Sequence, residues 1–199
     1  MGTNRKEEII LTTLELAAEK GLAGVSMSMI ADKIGIKKPS LYKHFSSKDE
    51  IVEAMYQFLR EQSKKNANIK PVDFSQIFQG KTAYEVLQGY VNMNHQEKLL
   101  TFYKVIYSER SIQPMAARIV AEETERMIIA TKQLFYAMEI HKLLHFENAD
   151  MSAVSFAMTV HGLMDYELDQ KYGYDEDPKN LLDEYLKWFC TENQVEAGD

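Results

Sequence analysis

Apolar side chains recur at helical spacing along almost the whole chain. In residues 4–20, Ile9, Ile10, Leu14, Ala17 and Ala18 share one face, and Gly21 and Gly24 then break the segment. Ser26 is suited to cap a short helix through Ile34, which Gly35 stops. A second short helix fits Lys38 to His44, with Pro39 in its first turn, where a missing N–H costs nothing. Ser47 and Glu50 form a capping box ahead of a longer helix, apolar at Ile51, Met55, Phe58 and Leu59. Lys64 to Asp73 is polar, holds Pro71 and reads as a connection; Asp73 with Gln76, and Thr82 with Glu85, look like helix starts. Pro114 opens the longest pattern, with Val120, Met127, Ile128, Thr131, Leu134, Phe135 and Met138 on one stripe. His141 to Ala149 reads as a loop, and Asp150 as the cap of a helix of about 20 residues ending near Lys171. A turn over 172–176 follows, Asp177-Pro178 starts a last helix through about Thr191, and 192–199 read as a frayed tail. No window alternates as a strand does. The expected fold class is all-α.

Charge sharpens this picture. The net charge is −7, which by itself argues against a polyanionic partner. Yet residues 1–48 hold eight basic and five acidic side chains, net +3, leaving 15 basic and 25 acidic, net −10, for 49–199. Residues 33–48 hold five lysines and no carboxylate. That asymmetry suggests a localised polyanion site, with a solvated lysine face as the alternative. The single cysteine, Cys190, allows no internal disulfide and points to a reducing, cytoplasmic setting. Arg5-Lys6-Glu7-Glu8 precedes an apolar stretch broken by Glu15 and Glu19, which is not the pattern of a secretory leader. The longest uncharged stretch of the C-terminal half is the 14 residues Met151 to Met164. A bilayer span needs about 20, so it reads as a buried helix and no membrane partner is expected.

Two short helices joined by a Gly-containing turn, behind a longer amphipathic helix, make a helix-turn-helix. The first braces across the phosphate backbone, so that the second enters a major groove about 12 Å wide. Ile30, Ala31, Ile34, Ile36, Leu41 and Phe45 supply the small core of this head, leaving Lys37, Lys38, Ser40, Tyr42, Lys43, His44 and Lys48 facing outward. At these residues the sequence resembles the TetR family of bacterial repressors. The matching strings are Val25-Ser26-Met27-Ser28-Met29-Ile30-Ala31, Gly35-Ile36-Lys37-Lys38-Pro39-Ser40-Leu41-Tyr42-Lys43-His44-Phe45 and Ser47-Lys48-Asp49-Glu50-Ile51. The resemblance covers about the first 60 residues; beyond them only length and helical layout are similar. It implies double-stranded DNA as partner, with Ser28, Lys38, Pro39 and Ser40 facing base edges. Tyr42, His44 and Lys48 would contact phosphates, with Ser26, Lys37 and Lys43 as further backbone candidates. One departure is Lys37, where the family often has a capping Ser or Thr. Plain alternatives stand beside these roles: Tyr42 and Phe45 as core aromatics, His44 as a helix-end residue favoured by the dipole, Ser28 and Ser40 as merely exposed.

The expected division is a DNA-binding domain over 1–47 and a helical ligand-binding and dimerisation domain over 48–199. The second is rich in Met and aromatics, which serve core packing or line an apolar ligand cavity. Phe102, Met127, Phe135 and His161 are the candidates for a small apolar ligand; Glu109 and Asp165 would suit a cationic one, or are solvated or salt-bridged. The helix from Lys48 to about Lys64 is the natural lever between ligand and head. His95, His141, His145 and His161 lack partners at metal-ligand spacing, so neither metal nor cofactor is expected. Ala153, Ala157 and Gly162 are small enough to admit a helix of a second copy, giving a homodimer through the last two helices; a buried intrachain helix is the alternative. No Gly-rich phosphate loop, G-x-S-x-G or H-E-x-x-H occurs, so no enzyme is expected. The resulting expectation is a ligand-responsive repressor on a palindromic operator, with a DNA-bound protein–protein adaptor as the other reading.

Overall fold

A computed structural model describes residues 4–66, 78–93, 97–168 and 177–195. Among these residues all regular structure is helical: α1 Arg5–Lys20, α2 Met27–Lys33, α3 Lys38–Tyr42, α4 Lys48–Asn66, α5 Ala83–Asn92, α6 Glu97–Glu109, α7 Pro114–Ile140, α8 Ala149–Leu168 and α9 Pro178–Glu192. The all-α expectation holds. Packing divides the chain into two units, Met1–Asn68 with His95–Glu122, and Ile69–Asn94 with Glu123–Asp199.

In the first unit, Asn4 caps α1 by accepting from the Lys6 N–H, and α1 packs against α2, α4 and α6. Its core joins Ile9, Leu14 and Ala17 of α1 to Ile51, Met55 and Tyr56 of α4 and to Leu99, Phe102 and Ile106 of α6. Each large side chain so buried contributes about 1.5–3 kcal/mol of burial free energy. Thr13 is tolerated at full burial because its hydroxyl donates to the Ile9 carbonyl at 2.7 Å. Helix α4 runs to Asn66, three residues into the expected connection; Asp73 and Gln76 lie outside the described residues, as do 172–176 and 196–199.

In the second unit, the reciprocal capping box of Thr82 and Glu85 opens α5 as expected. Tyr84 of α5 donates to Asp183 of α9, whose other oxygen pairs with Lys187 at 2.6 Å. Lys187, and then the Tyr84 hydroxyl, hold the Asp183 carboxyl below its usual range. Phe135 stacks on Phe146 (4.5 Å) and meets Phe156 (5.3 Å) and Phe189 (5.4 Å), forming an aromatic core from α7, α8, α9 and the loop before α8.

Two expectations about α8 need correction. Asn148, not Asp150, caps it: its side chain accepts from the Met151 N–H at 3.1 Å. Asp150 lies inside the first turn and instead holds the Tyr136 hydroxyl (2.7 Å) and Lys132 (3.1 Å). The small residues also split. Ala153 and Ala157 are buried inside this chain, while Gly162 lies open, so the two alanines serve the intrachain core. The exposed stripe of α8 is Met151, Ser155, Met158 and Gly162, spaced by three and four residues.

Candidate nucleic-acid interface

Ser26 opens the helix-turn-helix by accepting from the Met29 N–H at 3.2 Å. At the far end of α2 the chain must reverse within four residues. Gly35 takes φ +72, a left-handed value that L side chains rarely adopt, and the Ile36 N–H closes back on the Ala31 carbonyl at 3.0 Å. Helix α3 then starts at Lys38, with Pro39 in its first turn and no side chain capping it from Lys37. It is shorter than expected, ending at Tyr42 rather than His44. The Leu41 carbonyl accepts from both His44 (2.9 Å) and Phe45 (3.1 Å), a tightened turn that swings Phe45 into the core. Ile30, Ala31, Leu41 and Phe45 are buried as expected, whereas Ile34 and Ile36 are only half-buried.

The junction to α4 also differs in detail. Ser47 accepts from the Glu50 N–H at 3.1 Å, but the Glu50 carboxylate reaches back to Ser46, accepting from its N–H at 2.6 Å and its hydroxyl at 2.7 Å. The Ser46 hydroxyl and N–H, with Lys6 nearby, hold the Glu50 carboxyl below its usual range. The box is therefore shared by two serines.

On the outward face, Ser26, Lys37, Lys38, Pro39, Tyr42 and Lys43 are exposed, and Ser28, Ser40, His44 and Lys48 are half-buried. Tyr42 is 46% exposed against 3% for Phe45, which separates the surface aromatic from the core one. The Lys38 ammonium lies 5.9 Å from the Tyr42 ring centre, so the two side chains of α3 share one surface. The other lysines of this stretch divide. Lys33 pairs with Glu15 at 3.2 Å, and Lys48 donates to the Leu22 (2.6 Å) and Val25 (3.0 Å) carbonyls. Lys37, Lys38 and Lys43 make no ion pair among the described residues. Three exposed cations without counter-charges, in a stretch lacking any carboxylate, are what a phosphate-lined partner would neutralise.

The ligand candidates fall apart. Phe102 belongs to the first unit, fully buried between Tyr56 (5.9 Å) and Tyr103 (6.0 Å). Met127, Phe135 and His161 belong to the second; Phe135 is fully buried in the aromatic core, while Met127 and His161 are half-buried. Glu109 is buried rather than solvated, makes no salt bridge among the described residues, and accepts from the Leu22 and Ala23 N–H groups. Composition gave no signal of that, because its partners are backbone. Among the described residues no group of three His, Cys, Asp or Glu is placed to hold a metal ion, and no helix is long and apolar enough to cross a membrane.

Residues 9–55, which span α1 through the first turns of α4, match the family model of bacterial regulatory proteins of the tetR family. This N-terminal segment is of the TetR type. The chain is 33% identical over 55 residues to the tetracycline repressor protein class C of Escherichia coli, covering 28% of this chain and 25% of that one. It is 46% identical over 48 residues to the biofilm operon HTH-type negative transcriptional regulator IcaR of Staphylococcus aureus, covering 24% of this chain and 26% of that one. The chain thus matches about a quarter of the length of these curated relatives. The helical layout as a whole resembles a Saccharomonospora viridis transcriptional regulator solved in complex with choline, with a TM-score of 0.74 and 17% identity over 96% of this chain and 98% of that one. At that identity the likeness concerns the fold alone.

Proposed function

We propose that this chain is a TetR-family transcriptional regulator that binds a palindromic DNA operator as a homodimer and represses until a small apolar molecule releases it. The observation that carries the reading is the face of α3 and its flanks, where Lys37, Lys38 and Lys43 stand exposed with no ion pair among the described residues. In this account residues 1–47 read DNA, and 48–199 bind ligand and dimerise. Lys38, Pro39, Ser40 and Ser28 face base edges. Tyr42, Lys43, Lys37 and His44 meet phosphates, and Ser26 can donate its hydroxyl proton to a phosphate while its oxygen stays on Met29. Lys48 has used two of its three donors on carbonyls, which leaves one for a phosphate. The family and its neighbours are regulators rather than enzymes, and the tetracycline repressor and IcaR carry repression in their names.

A homodimer is supported by large apolar side chains that stand exposed: Met151 and Met158 on α8, and Trp188 on α9. Two helices from each copy make a four-helix bundle. For the ligand, Met127, Phe135 and His161 in one unit and Phe102 in the other remain the candidates, with Met127 and His161 the more accessible. The choline on the structural neighbour adds quaternary ammonium compounds to the probes worth testing. The setting we assign is the cytoplasm. Selection of bound sequences from a random duplex pool tests the reading. An inverted repeat recovered from it supports a dimeric reader, and no consensus at roughly 100 mM salt overturns it.

A further inference from the structure

The turn between α1 and α2, residues 21–25, is gripped from two sides. On its N–H side, Oε1 of Glu109 accepts from Leu22 at 3.0 Å and from Ala23 at 3.3 Å. On its carbonyl side, Nζ of Lys48 donates to Leu22 and Val25. Gly21 begins the turn at φ +71, and a side chain there would be strained. Two successive N–H groups converging on one oxygen form a small anion cradle, here filled by the protein's own carboxylate.

Glu109 is only 7% exposed and makes no ion pair among the described residues. Burying a carboxylate without a counter-cation is costly, and these charge-assisted hydrogen bonds are what offset it. Its main chain is fixed as well. It is the last residue of α6, and its carbonyl accepts from Ile112 (3.0 Å) and Gln113 (2.8 Å) in the turn leading to α7. One residue therefore ties the α6–α7 corner, through its side chain, to the turn that leads within three residues to the cap of α2. Helix α4 meets the same turn through Lys48. A displacement of α6 thus has a route to the reading helices that does not pass along α4.

We propose that Glu109 is a positioning residue for the DNA-reading head, its carboxylate setting the seat of α2 and α3 from the end of α6. This rests on the DNA-binding reading above. The test uses the full chain as wild type, Glu109→Ala, Glu109→Gln and Glu109→Asp. Each is measured for amide exchange at Leu22 and Ala23, for thermal unfolding, and for affinity to the duplex selected by wild type over a range of salt. The alanine variant is expected to speed exchange at both amides at least about tenfold and to weaken binding about tenfold. The slope of affinity against salt stays unchanged, because no phosphate contact is lost. The glutamine variant keeps an acceptor oxygen and is expected to hold affinity within about threefold of wild type.

Unchanged exchange in the alanine variant overturns the grip. Faster exchange with affinity within about twofold of wild type shows a grip that does not position the head, and overturns the proposal equally. If the alanine variant unfolds without cooperativity, Glu109→Asp decides, since its shorter side chain draws the oxygen back from both amides: faster exchange with weakened affinity at unchanged slope supports the proposal, and wild-type behaviour in both overturns it. Failure of the wild type itself to bind any duplex defeats the DNA-binding reading, a result distinct from a variant that matches a binding wild type.

Discussion

At the scale of single residues, Lys48 shows how a side chain can look like a DNA contact and also hold the fold. Its ammonium satisfies two carbonyl oxygens of the α1–α2 turn. Lys48→Ala is therefore expected to lower stability by about 1–2 kcal/mol in urea unfolding, besides weakening all duplexes alike. Unchanged stability would mean that the two hydrogen bonds contribute nothing net. Lys43→Ala, by contrast, removes an exposed cation that has no ion pair among the described residues and should leave the unfolding midpoint where it is. Sequence reading could place Ser26 as a cap and Phe45 in the core, because both follow from local spacing. It could not place Lys48 or Glu109. Their partners are backbone groups 23 to 87 residues away, and every sequence supplies those without marking them.

Among the elements, most helices were legible from periodicity and punctuation: Gly35 after α2, the Thr82–Glu85 box, Pro178 at the start of α9. The misses sit at ends, where two polar neighbours compete for one role. Asn148 took the cap expected of Asp150 because Asp150 is engaged by Tyr136 and Lys132, and Ser46 shares the box expected of Ser47. Helix faces are the other case. A run such as 151–164 has no charge to show which side faces out, and small residues suit an intrachain helix as well as a partner's. The structure separates the sides, and two substitutions one residue apart now have opposite expected outcomes. Ala157→Glu places a charge in the interior of its own chain and should cost about 3 kcal/mol or more, lowering the melting temperature sharply. Met158→Glu lies on the exposed stripe and should keep the melt while light scattering reports a monomer. A Met158→Glu protein that stays dimeric would place the interface elsewhere.

For the whole molecule, a basic N-terminal segment on an acidic remainder is written in the sequence itself, and that charge division is the most legible support for the proposed function. The ligand region was the least legible. Met and aromatic density is the same whether it fills a core or lines a cavity, and Phe135 proves to be surrounded by three other phenylalanines. Control by a ligand requires that it bind one arrangement of the heads better than another. A preference of about 2–3 kcal/mol weakens operator binding about 30–150-fold. A thermal-shift screen of hydrophobic dyes, fatty acids and choline is expected to yield a stabilising compound that also releases duplex in a gel shift; stabilisation without release would refute the coupling.

The claim on which the rest depends is that the exposed lysines flanking α3 neutralise DNA phosphates. The most direct test compares wild type with the Lys37→Ala/Lys43→Ala double variant on the duplex recovered by selection, with affinity measured against salt concentration. Each lost phosphate contact removes about 0.9 from the log–log slope, so a homodimer missing two contacts per copy should flatten by about 3.6. The melting temperature should not move, because both side chains are exposed and make no ion pair among the described residues. A slope equal to that of wild type would contradict the account.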